Sequence, residues 1–241
     1  MTPRVSVIIP HYFAVRAPHL LRIAADLRQS TLPPAEILVW NNDRADTLPD
    51  LSRTGMTVIQ SPRNEGCQSR LLAAQRASDA SAYLCFMDND ITLEPQALAN
   101  LVAWAERLPD SIVTLEGRAA RPVGESYEQW PKYRGWNLTA PKAVALSLGR
   151  GELVPAAIAR RMLTHFPQGD MGRMDDLWWS ACAAWERVPI YVVPCTRGVS
   201  GLVNLPEFRA GISRTQNYTA DRNAALAAIR GHNGHPRIWT E

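Results

Sequence analysis

The sequence predicts an α/β fold: an α/β/α sandwich around a mostly parallel central sheet. Three observations predict it. Short apolar, β-branched runs recur along the first half of the chain, as buried parallel strands require. Segments with apolar residues at helical spacing alternate with them. Three of the runs end abruptly in polar clusters, and in such sheets ligands bind beyond the carboxyl ends of the strands.

The elements follow in order. Val5 to Pro10 (VSVIIP) reads as the first strand and leads into His11-Tyr12. Pro18 to Leu27 places Leu20, Leu21, Ile23, Ala24 and Leu27 at helical spacing, with proline near the start, where its missing N–H costs nothing. Pro33-Pro34 breaks the chain before a second strand, Glu36 to Trp40 (EILVW), which ends at Asn41-Asn42-Asp43. Thr57 to Gln60 is a third, short strand and Gln68 to Ala77 a helix. Ala82 to Met87 (AYLCFM) is a fourth strand ending at Asp88-Asn89-Asp90, and Pro95 to Leu108 is an amphipathic helix with Leu98, Leu101, Val102 and Ala105 on one face. The rhythm then loosens. Arg118 to Lys142 mixes Arg, Pro, Gly and aromatics without a clean period and is expected to form a long loop or short hairpin over the site. Gly151 to Leu163 suggests a strand and helix, Asp175 to Trp185 a helix, Pro189 to Val193 a strand, and Asp221 to Arg230 an Ala-rich helix.

The chain has 241 residues, 46% hydrophobic and 20% charged, an ordinary globular composition that excludes disordered and fibrous classes. There are 26 basic and 23 acidic residues, and Lys132 and Lys142 are the only lysines. A formal charge of +3 is too small to require nucleic acid or an anionic membrane as partner. No apolar run approaches the roughly 20 residues of a membrane span. The chain runs from Met1 straight into a strand without a secretory pattern. Cys67, Cys85, Cys182 and Cys195 form no CxxC, so neither a disulfide framework nor a zinc site is expected, and the reading is a reduced, cytoplasmic protein.

The chemistry concentrates at Asp88-Asn89-Asp90. Two carboxylates one residue apart at the end of a buried strand repel each other, and burial penalises both. A hard divalent cation, Mn²⁺ or Mg²⁺, held by these carboxylates together with phosphate oxygens, relieves that repulsion. The plain alternative is a turn leading into Thr92 and Pro95.

VSVIIPHY, EILVWNND, the run from Asn64 to Arg70, and AYLCFMDNDITLEP, in this order, resemble the framework of GT-A nucleotide-sugar glycosyltransferases. The opening strand is similar to the large bacterial family 2 of inverting transferases. VWNN and WAERLPDSIV are similar to the exostosin type, which transfers with retention. The resemblance implies one GT-A domain over 1–241, with a nucleotide-sugar half at 1–108 and an acceptor half at 109–241. It implies a UDP-sugar donor and a hydroxyl-bearing acceptor.

Roles then follow by position. Asp88 and Asp90 match the DxD that binds metal, with Asp88 and Asn89 also near the nucleotide sugar. Pro10 and Tyr12 would line the base pocket, and Asn41 and Asn42 would meet the nucleobase and ribose. Asn64 and Arg70 would lie near the donor sugar and diphosphate, where a guanidinium makes a bidentate partner. Met174-Asp175-Asp176 resembles the acidic pair opening the acceptor-side helix. Asp176 is the candidate general base for inversion, or a residue near the reacting carbon for retention, and Asp175 is the second choice. Trp178 and Trp179 are core, or one of them stacks on a sugar. Ser200-Gly201 followed by Arg214 matches an Arg that reaches the departing diphosphate, with Arg209 as a rival. His232 or His235 would complete the metal site if a third protein ligand is used.

Two other readings stand beside this one. A non-catalytic nucleotide-sugar-binding module shares the donor residues. A nucleotidyltransferase would carry a Gly-rich, Lys-bearing phosphate loop after the first strand, and none follows VSVIIP. The basic, aromatic stretch from Arg118 to Arg161 suits a solvated loop, a sugar chain, an anionic glycan or modified nucleic acid as acceptor.

Overall fold

The fold is described from a computed structural model, which covers residues 2–43, 48–120, 126–165, 174–206 and 217–231. An eight-stranded sheet runs in the order β3-β2-β1-β4-β11-β6-β12-β9. Its first half is parallel: β1 (Val5–His11) lies between β2 (Glu36–Asn41) and β4 (Tyr83–Phe86), and β3 (Met56–Gln60) extends it beyond β2. The register pairs His11 with Asn41 and Ile8 with Phe86, so the carboxyl ends of β1, β2 and β4 open on one edge. In the second half β11 (Glu152–Pro155) runs antiparallel between β4 and β6 (Ile112–Thr114). β12 (Ile190–Val192) is parallel to β6, and β9 (Lys142–Val144) closes the sheet antiparallel.

Strands β1, β2 and β4 are buried on both faces, which is why they read as continuous apolar runs and not as alternating ones. On one face Val5, Val7 and Ile9 pack with α1 (Ala17–Arg28) through Leu20, Ile23 and Leu27, and with α3 (Ala97–Arg107) through Leu98 and Leu101. On the other, Ile8, Leu84, Phe86 and Val154 meet α2 (Ser69–Ala74), α4 (Ala156–Thr164) and α5 (Asp175–Trp185) through Leu71, Ile158, Met162, Trp179 and Cys182. The expected sandwich is present. Helix α2 is shorter than 68–77: Gly66–Gln68 ahead of it is a tighter 3₁₀ turn, and the helix ends at Ala74 with residues 75–77 in a turn.

The stretch expected as a loop or hairpin over the site is built as a small second sheet. After β6 the chain leaves the main sheet at Leu115, and β7 (Glu116–Arg118) pairs antiparallel with β8 (Lys132–Arg134) and β10 (Leu146–Ser147). Gly117 permits this close packing, since a Cβ there would meet the Leu146 carbonyl and the Val144 and Val192 methyls within 3 Å. Another two-stranded piece, β5 (Ile91–Leu93) with β13 (Leu202–Asn204), follows Asp90. Helix α6 (Tyr218–Gly231) packs Leu226 and Ile229 against Tyr127, Trp130, Leu146 and Leu177. Among the described residues no helix is long and apolar enough to cross a membrane.

Trp179 is core, as one of its two sequence readings held. It lies edge-on to Phe86 with ring centroids 5.5 Å apart, and its Nε1 donates to Glu152 Oε1 at 2.5 Å. Burial pushes the Glu152 carboxyl above its ordinary range. Trp179→Phe removes the indole donor from this buried acceptor while keeping most of the packing. Urea unfolding is expected to show a loss of about 1–3 kcal/mol with an unchanged far-UV spectrum.

Candidate active site

A cleft of about 920 Å³ opens at the carboxyl edge of β1, β2 and β4 and continues along the small sheet. Of the expected donor residues, Pro10, Tyr12, Asn42, Asn64, Arg70, Asp88, Asn89 and Asp90 line it, as do Asp175 and Asp176. Asn41 does not. Its side chain is wholly buried, donates to Gln60 Oε1 at 2.8 Å and braces the backbone of Asp43, so it shapes the turn after β2 and leaves the cleft to Asn42. Asn42 in turn donates to the Gly66 carbonyl and Ser69 Oγ and accepts from the Glu65 N–H, holding the 64–69 segment against the cleft. Tyr12 stands exposed, edge-on to Phe13 at 4.8 Å. Arg214, its rival Arg209, His232 and His235 lie outside the described residues.

The two acidic pairs meet through Arg70. This guanidinium is buried, and its Nη2 donates to Asp88 Oδ1 at 2.8 Å. Its Nη1 donates to the Gly149 carbonyl at 3.1 Å, and its Nε lies 2.6 Å from Asp175 Oδ2. Arg70 is thus engaged by carboxylates, whereas the sequence pointed to a diphosphate contact. Gly149 makes room for it. With φ at +64° the residue sits where side chains are strained, and a Cβ would collide with the guanidinium.

Burial pushes Asp175 up to about 6 against the pull of Arg70, and the neighbouring Asp176 and Asp88 add to the rise. Burial likewise raises Asp88, with Arg70 opposing and Asp90 assisting. Asp90 is held from the β1–α1 connection: Arg16 Nη1 lies 3.3 Å from Asp90 Oδ2 and donates to Asn89 Oδ1 at 3.2 Å. Asn89 therefore turns its amide inward, toward Arg16 and toward His11 Nδ1 at 2.9 Å.

The other Asp90 oxygen, Oδ1, is buried and has no hydrogen-bond partner among the described residues. An unpartnered buried carboxylate oxygen fits a cation ligand. Among the described residues no third His, Cys, Asp or Glu joins a ligating group. A hard divalent ion here would be completed by ligand phosphates and water, as is usual for Mg²⁺.

Asp176 accepts from the Leu177 N–H at 3.0 Å and is paired with Arg222 of α6. Arg222 lies over the rings of Tyr127 (4.2 Å) and Tyr218 (5.1 Å), and its carboxylate partner holds its charge firmly despite burial. Across the cleft Glu116, buried on β7, contacts Lys132 Nζ at 3.0 Å, Arg134 Nε at 3.2 Å and Arg150 Nη1 at 3.0 Å. Arg16, Glu116 and Arg222 had no role in the sequence reading. Arg16 and Arg222 lie in segments whose pattern is that of ordinary turn and helix surface, and no local signal marks them.

The family model for glycosyl transferase family 2 matches residues 6–159. The chain belongs to glycosyl transferase family 2. It is a glycosyltransferase with the GT-A fold that the ordered motifs implied. The crystal structure of S. aureus TarS 1-349 is similar to it with a TM-score of 0.67 at 14% identity, over 98% of this chain and 69% of that one. The crystal structure of GalNAc-T7 with UDP, GalNAc and Mn²⁺ gives 0.59 at 15% identity, over 82% of this chain and 45% of that one. At such identities the likeness is one of fold. No curated protein sequence matches the chain.

Two outcomes test the site of this transferase. Gly149→Ala displaces Arg70 from both acidic pairs. It is expected to lower kcat about a hundredfold, the scale of a misplaced catalytic group, while the far-UV spectrum is kept. The second concerns His11, whose burial lowers its pKa from 6.5 to about 4. The neutral ring accepts from Asn89, and only the unfolded chain takes up a proton between those values. The resulting stability is present above pH 6.5 and lost as pH falls toward 4. Urea unfolding at several pH values should show the wild type losing stability relative to His11→Asn across that window.

Proposed function

We propose that this transferase moves a sugar from a UDP-sugar to a hydroxyl acceptor in a reaction that needs a divalent metal ion. The observation that carries this reading is the meeting of two acidic pairs, Asp88/Asp90 and Asp175/Asp176, on one cleft at the carboxyl edge of the sheet. In this reading residues 1–108 hold the donor and 109–241 the acceptor. Pro10, Tyr12, Asn42 and Asn64 line the nucleotide end. Asp90, with its unpartnered Oδ1, and Asp88 hold Mn²⁺ or Mg²⁺. The UDP and Mn²⁺ named with GalNAc-T7 support this choice of donor and ion. The ion supplies charge neutralisation for the departing diphosphate.

Asp176 acts as general base, taking the proton from the acceptor hydroxyl, and Arg222 fixes the orientation of its carboxylate. Asp175 positions the start of α5 against the donor side through Arg70. Family 2 membership supports inversion over the retaining outcome of the exostosin type.

A panel of UDP-sugars with Mn²⁺ or Mg²⁺ tests the proposal. Asp176→Asn is expected to reduce transfer by about 10²–10⁴ with donor affinity kept, the range for losing a general base. Asp90→Ala is expected to abolish metal-dependent UDP binding. The proposal fails if no UDP-sugar is bound or turned over and Asp90→Ala changes nothing. A product that retains the donor's anomeric configuration overturns the role of Asp176 as base.

A further inference from the structure

One wall of the cleft carries more positive charge than the donor reading uses. Lys132 and Arg134 on β8 alternate with Tyr133, whose ring packs into the core, so both cations face the cleft. Together with Arg150 they contact the one buried carboxylate of Glu116, three cations against one anion. Arg150 also approaches Asp88 Oδ2 at 3.8 Å and thus stands between the donor pole and this wall. Arg134 and Arg197 lie over the ring of Trp136, at 5.8 and 4.9 Å from its centroid, which limits the freedom of both side chains. Burial holds the Lys132 ammonium below its ordinary range even beside Glu116. Lys132 and Arg150, mostly buried, are costly members of this cluster unless an anion completes them, while Arg134 and Arg197 are exposed to the cleft. Fixed guanidinium forks match the planar oxygens of phosphate and carboxylate.

We propose that Lys132, Arg134, Arg150 and Arg197 form a subsite for a phosphate or carboxylate group carried by a saccharide acceptor. This rests on the transfer reading above and names the acceptor's chemistry. A nucleic acid fits less well. It needs an extended basic track and open aromatic faces for base stacking, whereas this cluster is confined within the cleft and guanidinium groups cover the Trp136 ring.

Titration calorimetry on the full chain tests it, with and without saturating UDP and Mn²⁺. The ligands are glucose 6-phosphate, glucuronate, neutral glucose, inorganic phosphate and a single-stranded oligonucleotide. Either charged sugar is expected to bind the UDP-loaded protein, glucose not measurably, and the stronger of the two identifies the anionic group. Arg134→Gln and Arg197→Gln are each expected to weaken that binding about tenfold, the scale of one charge-assisted hydrogen bond, and Arg134→Lys by less. Both Gln variants should bind UDP with Mn²⁺ as the wild type does, which also reports that they are folded.

The proposal is overturned by charged sugars binding no better than glucose, by the Gln variants losing UDP affinity, or by the oligonucleotide binding more tightly than any sugar and depending on these arginines. Inorganic phosphate binding as well as the sugar phosphate would assign the wall to a free anion and likewise overturn it. If wild type binds no UDP with Mn²⁺, the donor reading fails instead, and the metal-free titrations still decide the anion site.

Discussion

The Arg70 bridge is the constraint on which the arrangement of this cleft depends. One buried cation faces Asp88, at the end of β4, and Asp175, at the start of α5, with the Gly149 carbonyl as its third partner. Without it two carboxyl groups with burial-raised pKa values would face each other across low-dielectric space. The strand β4 leads to one carboxylate and the helix α5 opens with the other. The guanidinium therefore ties the end of β4 to the start of α5. Removing a buried ion's partner costs far more than the pair itself contributes.

Around this bridge the cleft is organised as a series of charge pairs, each with one member on a regular element. Arg16 comes from the turn after β1 and meets Asp90. Arg222 comes from α6 and meets Asp176 between two tyrosine rings. Glu116 comes from β7 and gathers three cations. In this cleft Arg16, Arg70, Arg150 and Arg222 each fix a carboxylate. At Arg70 all three nitrogen groups face protein oxygens.

The parallel half of the fold was legible because β1, β2 and β4 are short, apolar and buried on both faces, and because their ends carry the polar clusters. Helix α5 was legible to the residue, since its acidic first turn and apolar run have no competing pattern. The small sheet was not. Its strands are two or three residues long and carry charges for the cleft, so neither periodicity nor hydrophobicity marks them. In the cleft, Asp88, Asp90 and the Asp175-Asp176 pair were legible as clustered charge at element ends, but the arginines that pair with them were not. Asn41 misled because a buried amide at a strand end looks the same in sequence whether it faces a ligand or the next turn. Arg16 and Arg222 were hidden because what matters is the distance the folded chain brings them across, and a single sequence does not encode that locally.

The crossing of the chain at Leu115 from the main sheet to the small one separates two kinds of selection. Side chains on the main sheet serve the core and the cleft edge together, so changes there are felt as lost stability. On β8 the cleft-facing positions 132 and 134 belong to neither apolar layer, while Tyr133 between them keeps the strand anchored. Variation at 132 and 134 is therefore limited by Glu116 and not by the apolar layers, since that buried carboxylate must keep a cation beside it.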